Sequence, residues 1–298
     1  MLGVAILAFL VWKVGTGPFL DGVRRVDGRA LVAAVGLGGL TTLACAWRWR
    51  MIAAGFGIRL PLGGAVAAYY RSQFLNTTLP GGVVGDVHRA VRHGRDIGDV
   101  GLGVRAAVLD RIVGQAVQAV IVVVALFALP SAVRSEPVVA VALVVVALGA
   151  AALIAVTVAR RIAPDWHWSW LRALRHNWLS VVVLSVAVVA GHVATFLIAA
   201  RTAGSNAPLS RLVPLTLLAL LAMALPLNVA GWGPREGVAA WAFAAAGLTA
   251  ASGVATAVTY GVLVFVASLP GAVVLLLRWR PPGALRGGPA YQQGGAHG

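Results

Sequence analysis

The sequence has little cysteine, lysine or acid. Its 298 residues include one cysteine, Cys45, nine acidic residues, and a single lysine, Lys13, among 24 basic residues. One cysteine excludes an intrachain disulfide and a cysteine-based metal site. No Walker A motif is present, and no nucleophile elbow or His/Asp/Glu spacing typical of metal ligands is visible. We therefore expect no metal, no cofactor and no catalytic residue, and we expect that the chain is not an enzyme.

Charge is scarce throughout the chain. Charged residues make up 11% of it and apolar residues 60%, with a mean hydropathy of +0.89. Soluble domains carry about 25% charged residues, so the composition predicts a polytopic membrane protein. The net charge of +15 comes from arginines scattered between apolar runs. Because they form no single basic face, we expect no nucleic-acid partner.

Apolar runs long enough to be membrane helices set the predicted architecture. We predict an all-α integral membrane protein with about six crossing helices and two re-entrant helical hairpins. The predicted crossings are residues 1–13, 29–50, 100–129, 138–158, 179–200 and 254–277. Residues 1–280 would form one transmembrane domain, and the Gly/Pro-rich residues 281–298 a disordered cytoplasmic tail.

Two Pro/Gly breaks interrupt apolar sequence and predict the re-entrant hairpins. The first reads LPGGVVGDVHR (79–89) and the second LPLNVAGWGPREG (225–237). Each has Leu-Pro, a Gly five residues after the Pro, and then an acid and an arginine. Non-helical backbone at membrane depth is tolerated only where protein buries it or where it lines a cavity. Three predicted crossings separate the breaks, so the hairpins would enter from opposite faces as a possible inverted repeat.

The distribution of basic residues predicts the orientation. This topology places 13 basic residues on the side of both termini and 7 on the other. The richer side should be cytoplasmic. Its 13 include Arg89 and two arginines of the Trp47–Arg50 cluster, which we interpret as an interfacial anchor.

Ionisable residues near the breaks are the first candidates for a site. An intramembrane charge is costly and is by default a functional-site hypothesis. Adjacent helical residues do not face each other, so we expect Arg111 to pair with Glu236, or Asp86 with Arg235. The alternative is a buried salt-bridge network that binds no ligand. The charged candidates are Arg71, Asp86, Arg89, Asp110, Arg111, Arg235 and Glu236.

Glycines and side-chain amides at or near the breaks form a second group of candidate site residues. Gly81, Gly82 and Gly231 permit unusual backbone angles, and freed backbone amides beside arginine can bind an anion such as phosphate. Alternatively, glycines there only permit tight helix crossing. Gln73 and Asn76 share one helix face, where they line a polar groove or satisfy the broken backbone.

The histidines give a weaker signal. His192 lies alone in an apolar run, where an interhelical hydrogen bond is the expected role. His88 and His93 lie in a basic segment, 87–99, that we interpret as a solvated loop.

Four segments in linked order resemble a known family. They are RWRMIAAGFGIRL (48–60), RSQFLNTTLPGGVVGDVHRA (71–90), AAVLDRIVG (106–114) and LPLNVAGWGPREG (225–237). They resemble the lysylphosphatidylglycerol synthase transmembrane family, or flippase-like domain, over roughly residues 1–280. Members resemble the membrane half of the bacterial multiple peptide resistance factor, whose flippase moves aminoacylated phosphatidylglycerol between leaflets. We expect no soluble aminoacyl-transferase domain, so the resemblance does not imply lysyl transfer.

The resemblance implies a flippase of the bacterial inner membrane, and the distribution of basic residues predicts that both termini are cytoplasmic. We expect a polar midplane site for an anionic phospholipid or polyprenyl-phosphate headgroup, and a possible homo-oligomer. The alternatives are a membrane-embedded glycosyl- or phosphotransferase on a lipid-linked substrate, and a non-transporting scaffold for lipid-pathway enzymes. The expected substrate-binding residues are Arg71, Gln73, Asn76, Gly81, Gly82, Asp86, Arg89, Asp110, Arg111, Gly231, Arg235 and Glu236.

Overall fold

The computed structural model describes residues 2–128, 174–175, 177–223 and 229–277. All regular structure within these ranges is helical, which confirms the predicted all-α class. The helices are α1 Leu2–Val14, α2 Gly17–Arg24, α3 Gly28–Gly55, α4 Leu62–Thr78, α5 Val84–Asp96, α6 Val100–Ala128, α7 Trp178–Thr202, α8 Leu209–Ala222, α9 Pro234–Ala245, α10 Ala250–Ser268 and α11 Pro270–Leu277.

Four of these units are long and apolar enough to cross a membrane. They are α3, α6, α7, and α10 together with α11. Helices α1 and α2 would add a fifth only as a pair, and they are bent by 101° at their junction. The predicted crossing at 138–158 and the predicted tail at 281–298 lie outside the described residues. The count of six crossings therefore stays a prediction.

Helix α3 extends beyond its predicted end. Asp27 caps its start, where the Asp27 carboxylate accepts a hydrogen bond of 2.7 Å from the Ala30 amide. It ends at Gly55, five residues past Arg50, so the proposed interfacial anchor is helical. Arg48 and Trp49 are buried, whereas Trp47 and Arg50 are exposed. The anchor interpretation was wrong for Arg48 and Trp49, because they lie on the inward face of α3.

The segment after the first break is also a helix. Val84–Asp96 forms α5, with Arg89 and His93 buried and Arg95 exposed. His93 is 9% exposed, and its ring centroid lies 5.1 Å from that of Trp49. The interpretation of this segment as a solvated loop was therefore wrong. Its polar residues follow a helical period, and this places part of them inward.

Helices α4 and α5 form an antiparallel hairpin around the first break. The Asn76 side chain accepts a hydrogen bond from the Gly85 amide at 2.8 Å, and the Ser72 hydroxyl donates to Asp86 at 2.9 Å. Thus earlier residues of α4 contact later residues of α5. A Cβ added at Gly85 would lie 2.0 Å from the Ser72 carbonyl oxygen, so this glycine permits the tight crossing. The membrane face from which each hairpin enters stays a prediction.

The main core joins the second half of the chain to α3 and α6. Phe196, Leu215, Phe243 and Leu263 lie in one buried cluster that α7, α8, α9 and α10 share. Small residues let neighbouring backbones approach closely. A Cβ at Gly253, for example, would meet the Ala239 carbonyl oxygen at 2.3 Å. This packing holds the second break against the hairpin of the first.

A candidate anion site where the two breaks meet

The two Pro/Gly breaks contact each other. Pro80 of the first break and Val229 of the second form an isolated antiparallel bridge. Val229 is also bridged to Trp232 by two backbone hydrogen bonds of 2.9 Å. The two breaks therefore meet, although Pro80 and Val229 lie 149 positions apart in the sequence. Residues 224–228 of the second break lie outside the described ranges.

Glycines provide the unusual backbone at both breaks. Gly81 and Gly82 have φ values of +96° and +60°, and Gly231 and Gly233 have +82° and +116°. Ala230 also has a positive φ, of +52°. Since L residues adopt this region only at a cost, the interpretation that glycines permit unusual angles is confirmed here. Gly85 instead fits the alternative of tight helix crossing.

Replacement of Gly81 by alanine should destabilise the first break through the backbone alone. No heavy atom would lie within 4 Å of the added Cβ, so the penalty is conformational and about 1–2 kcal/mol. Gly81→Asn should lose less, because asparagine tolerates positive φ better. Thermal unfolding of the detergent-solubilised protein measures both. Equal unfolding temperatures for wild type and Gly81→Ala would contradict a strained backbone at this position.

Five side chains of alternating charge form a continuous chain beside the breaks. Arg48 Nε lies 2.8 Å from Asp110, and Arg89 Nη2 lies 3.3 Å from the other Asp110 oxygen. The same Arg89 nitrogen lies 3.4 Å from Asp86, which also binds Arg111. Helices α3, α5 and α6 supply this charge chain, defined as Arg48, Asp110, Arg89, Asp86 and Arg111. Both of its ends are cations.

Uncharged donors hold the two carboxylates of the charge chain. The Tyr69 hydroxyl donates to Asp110, and Asn76 Nδ2 donates to Asp86 at 3.3 Å. At one end, Arg48 Nη1 donates to the Ser185 hydroxyl at 3.1 Å. Asn76 thus combines both of its proposed roles, because it also binds the Gly85 amide of the broken backbone.

Arg89 lies at the centre of the charge chain and is enclosed by aromatic rings. Its guanidinium carbon lies 4.5 Å from the ring centroid of Trp49 and 4.2 Å from that of Tyr69. Only 2% of the residue is exposed. Cation–π contact and two carboxylates offset its desolvation. Arg89 is therefore fixed in place, whereas Arg111, with 32% of its side chain exposed, lies at the edge.

A cavity of about 290 Å³ opens onto the charge chain. It contains three guanidinium groups and two carboxylates, which leaves one positive charge in excess among the described residues. Eight of the twelve expected site residues line it. These eight are Gln73, Asn76, Gly82, Asp86, Arg89, Asp110, Arg111 and Gly231. Arg71, Gly81, Arg235 and Glu236 do not.

Arg235 and Glu236 form a separate buried pair behind the cavity. Arg235 Nε lies 2.9 Å from Glu236, whose other oxygen accepts a hydrogen bond of 2.7 Å from the Gly233 amide. The expected pairs Arg111–Glu236 and Asp86–Arg235 were wrong, since Arg111 binds Asp86 instead. Adjacent side chains can meet here because Glu236 turns back to cap the first turn of α9.

The second pair contacts the cavity wall through aromatic rings. The Arg235 guanidinium carbon lies 5.2 Å from the ring centroids of Trp232 and Tyr260. The Tyr260 hydroxyl, which lines the cavity, is 3.1 Å from His192 Nδ1. This hydrogen bond between α7 and α10 confirms the expected role of His192.

Sequence reasoning missed several residues that line the cavity. Arg48 was assigned to the membrane interface, and Tyr69, Ser185, Gln115 and Gln118 were not considered. A helical period in the polar residues would have found two of them, since Gln115 and Gln118 follow Arg111 along one face of α6. Among the described residues, no group of three His, Cys, Asp or Glu could hold a metal ion.

Among known proteins, one family is similar to this chain. The family model described as lysylphosphatidylglycerol synthase TM region matches residues 1–271. The chain belongs to this family. No curated protein and no solved structure matches it.

Membership in the lysylphosphatidylglycerol synthase TM family confirms the resemblance found in the four sequence segments. It identifies a multi-pass membrane protein with a role in lipid metabolism or transport. The more specific likeness to the membrane half of the multiple peptide resistance factor stays a prediction.

Proposed function

We propose that the chain moves an anionic lipid across the bacterial inner membrane and that its cavity binds the phosphate of the headgroup. The observation that carries this proposal is the charge chain, with three guanidinium groups against two carboxylates in one cavity. The acyl or polyprenyl tails would stay in the bilayer while the headgroup passes between the two breaks.

The excess positive charge supports an anionic ligand. In a medium of low dielectric an uncompensated charge is costly, and a phosphate would compensate it. Arg111 is the best placed of the three arginines, because it is the most exposed and Asp86 is the one carboxylate that it contacts. A guanidinium binds phosphate bidentately through charge-assisted hydrogen bonds. The two aspartates would balance the arginines when no lipid is bound.

The position of the cavity supports a lipid. Its walls come from α3, α6, α7 and α10, which all belong to membrane-spanning units, and from the α4–α5 hairpin. The lining also includes the apolar residues Leu220, Val188 and Val189. A ligand that reaches this cavity from the bilayer would need an apolar tail as well as a charged head.

The contacts of the two carboxylates support ligand binding more than transferase chemistry. Asp110 binds two guanidinium groups and a tyrosine hydroxyl, and Asp86 binds two guanidinium groups, a hydroxyl and an amide. All four carboxylate oxygens therefore already bind protein donors, so neither carboxylate is free to accept a proton from a substrate.

Replacement of Arg111 by glutamine should slow transport strongly without loss of the fold. Asp86 keeps Arg89, Ser72 and Asn76 as partners in this variant. A charged hydrogen bond to phosphate contributes about 1.5–3 kcal/mol, so the rate should fall about 10- to 100-fold. The measurement uses purified protein in vesicles with fluorescent phosphatidylglycerol, whose outer-leaflet fraction dithionite quenches.

Arg95→Gln is the matched control, because Arg95 is exposed on α5 and does not line the cavity. It should transport at the wild-type rate. Equal rates for wild type and Arg111→Gln would remove Arg111 from the site. A covalently altered lipid, found by mass spectrometry in vesicles that contain wild type, would favour the transferase alternative.

A further inference from the structure

The residues that line the cavity are of two chemical kinds, which we call its charged and uncharged halves. The charge chain lines one half, and uncharged polar side chains line the other: Gln73, Gln115, Gln118, His192 and Tyr260. On α6 the two halves follow each other along one face, from Arg111 to Gln115 to Gln118. Seven residues of helix span about 10.5 Å, which is longer than a phosphate group needs.

Gln73 and Gln115 keep hydrogen-bonding capacity that the described residues do not use. Gln73 Oε1 accepts a hydrogen bond from the Thr42 hydroxyl at 3.0 Å. The NH₂ group of Gln73 is left to donate to a ligand. Gln115 Oε1 is buried and has no hydrogen-bond partner within the part of the chain that the structure describes. A buried amide oxygen without a partner costs free energy, and glutamines in a membrane helix are usually paired across helices. A headgroup can supply the hydrogen bond that Gln115 Oε1 lacks among the described residues.

We propose that the uncharged half recognises a polyhydroxyl group attached to the lipid phosphate, such as a glycerol or a sugar. This inference rests on the proposed lipid transport. Amides donate and accept hydrogen bonds, as hydroxyls do, whereas an ammonium group only donates. The excess positive charge of the cavity also opposes an ammonium group. The substrate class is a phosphate-linked polyol lipid without an added amine.

The test compares lipids that differ only in the polyol. Two pairs are labelled on the tail: phosphatidylglycerol with phosphatidic acid, and polyprenyl-phosphate glucose with polyprenyl phosphate. Wild type and the double variant Gln115→Met/Gln118→Met are reconstituted in vesicles. Each lost hydrogen bond should lower the transport rate about fivefold. We expect the variant to slow the polyol member of the transported pair at least about tenfold, and its plain phosphate partner about twofold or less.

Ala116→Met is the control, since Ala116 is exposed and lies beside Gln115 on α6; it should slow neither member of a pair. The pair that is transported distinguishes a diacylglycerol from a polyprenyl source. Equal slowing of both members, no slowing, or transport of the plain phosphates alone by wild type would overturn the polyol assignment while lipid transport stands. Transport of none of the four lipids by wild type would overturn the proposed function as well.

Discussion

Asp110→Asn should cost about 3–5 kcal/mol of stability, the range measured when one partner of a buried ion pair is removed. Asp110 is 1% exposed and lies between Arg48 and Arg89, both of which are also buried. Without its charge, Arg48 keeps one hydroxyl partner, Ser185, and Arg89 keeps Asp86. Folded proteins are stable by only about 5–15 kcal/mol, so much of the variant should fail to fold.

The measurement is the thermal unfolding midpoint and the monodisperse yield after extraction in detergent. Asp99→Asn is the matched control, because Asp99 is exposed and accepts a hydrogen bond from the Leu102 amide at the start of α6. Asparagine caps a helix as well as aspartate does, so this variant should behave as wild type. In the double variant with Arg48→Gln, the loss should be smaller than the sum of the single losses. Additive losses would show that Arg48 and Asp110 are not coupled.

Gly85→Ala should destabilise the α4–α5 hairpin more than any other single added methyl group. Its Cβ would lie 2.0 Å from the Ser72 carbonyl oxygen, which is backbone and cannot rotate away. The two helices must separate, and overpacking of this kind costs about 1–3 kcal/mol or more. Because Ser72 and Asp86 bind each other across the same crossing, separation should also open the charge chain and slow transport.

Gly63→Ala provides the comparison for this change. Gly63 is exposed in the first turn of α4, and nothing lies within 4 Å of the position of its Cβ. Alanine there should stabilise the protein by about 0.5–1 kcal/mol, because glycine loses more conformational freedom in a helix. The unfolding temperature should fall for Gly85→Ala and rise for Gly63→Ala. If Gly85→Ala unfolds at the wild-type temperature, the close approach of the two helices is wrong.

The sequence predicted the fold class and the positions of the two breaks, since both follow from strong local signals. Long apolar runs predict membrane helices, and a Pro/Gly break needs protein around it. It also indicated acids and arginines near the breaks as candidate site residues. Asp86, Arg89, Asp110 and Arg111 form one network.

The partners within that network could not be predicted, because they depend on how helices rotate against each other. Arg48 lies in a Trp/Arg cluster whose composition is typical of a membrane interface, yet the turn of α3 places it inward. Arg235 and Glu236 were expected to separate, and the cap geometry of α9 joins them. Such outcomes are decided by side-chain contacts between helices that are distant in the sequence.

The charge chain has a consequence for biosynthesis. All five of its members lie between Arg48 and Arg111, whereas the wall residue Tyr260 follows 149 residues later. At about 5–20 residues per second, the ribosome needs about 7–30 s for that interval. The newborn N-terminal half therefore carries every member of the charge chain while the rest of the chain is still being translated. Its ion pairs can thus form before the later helices enclose them.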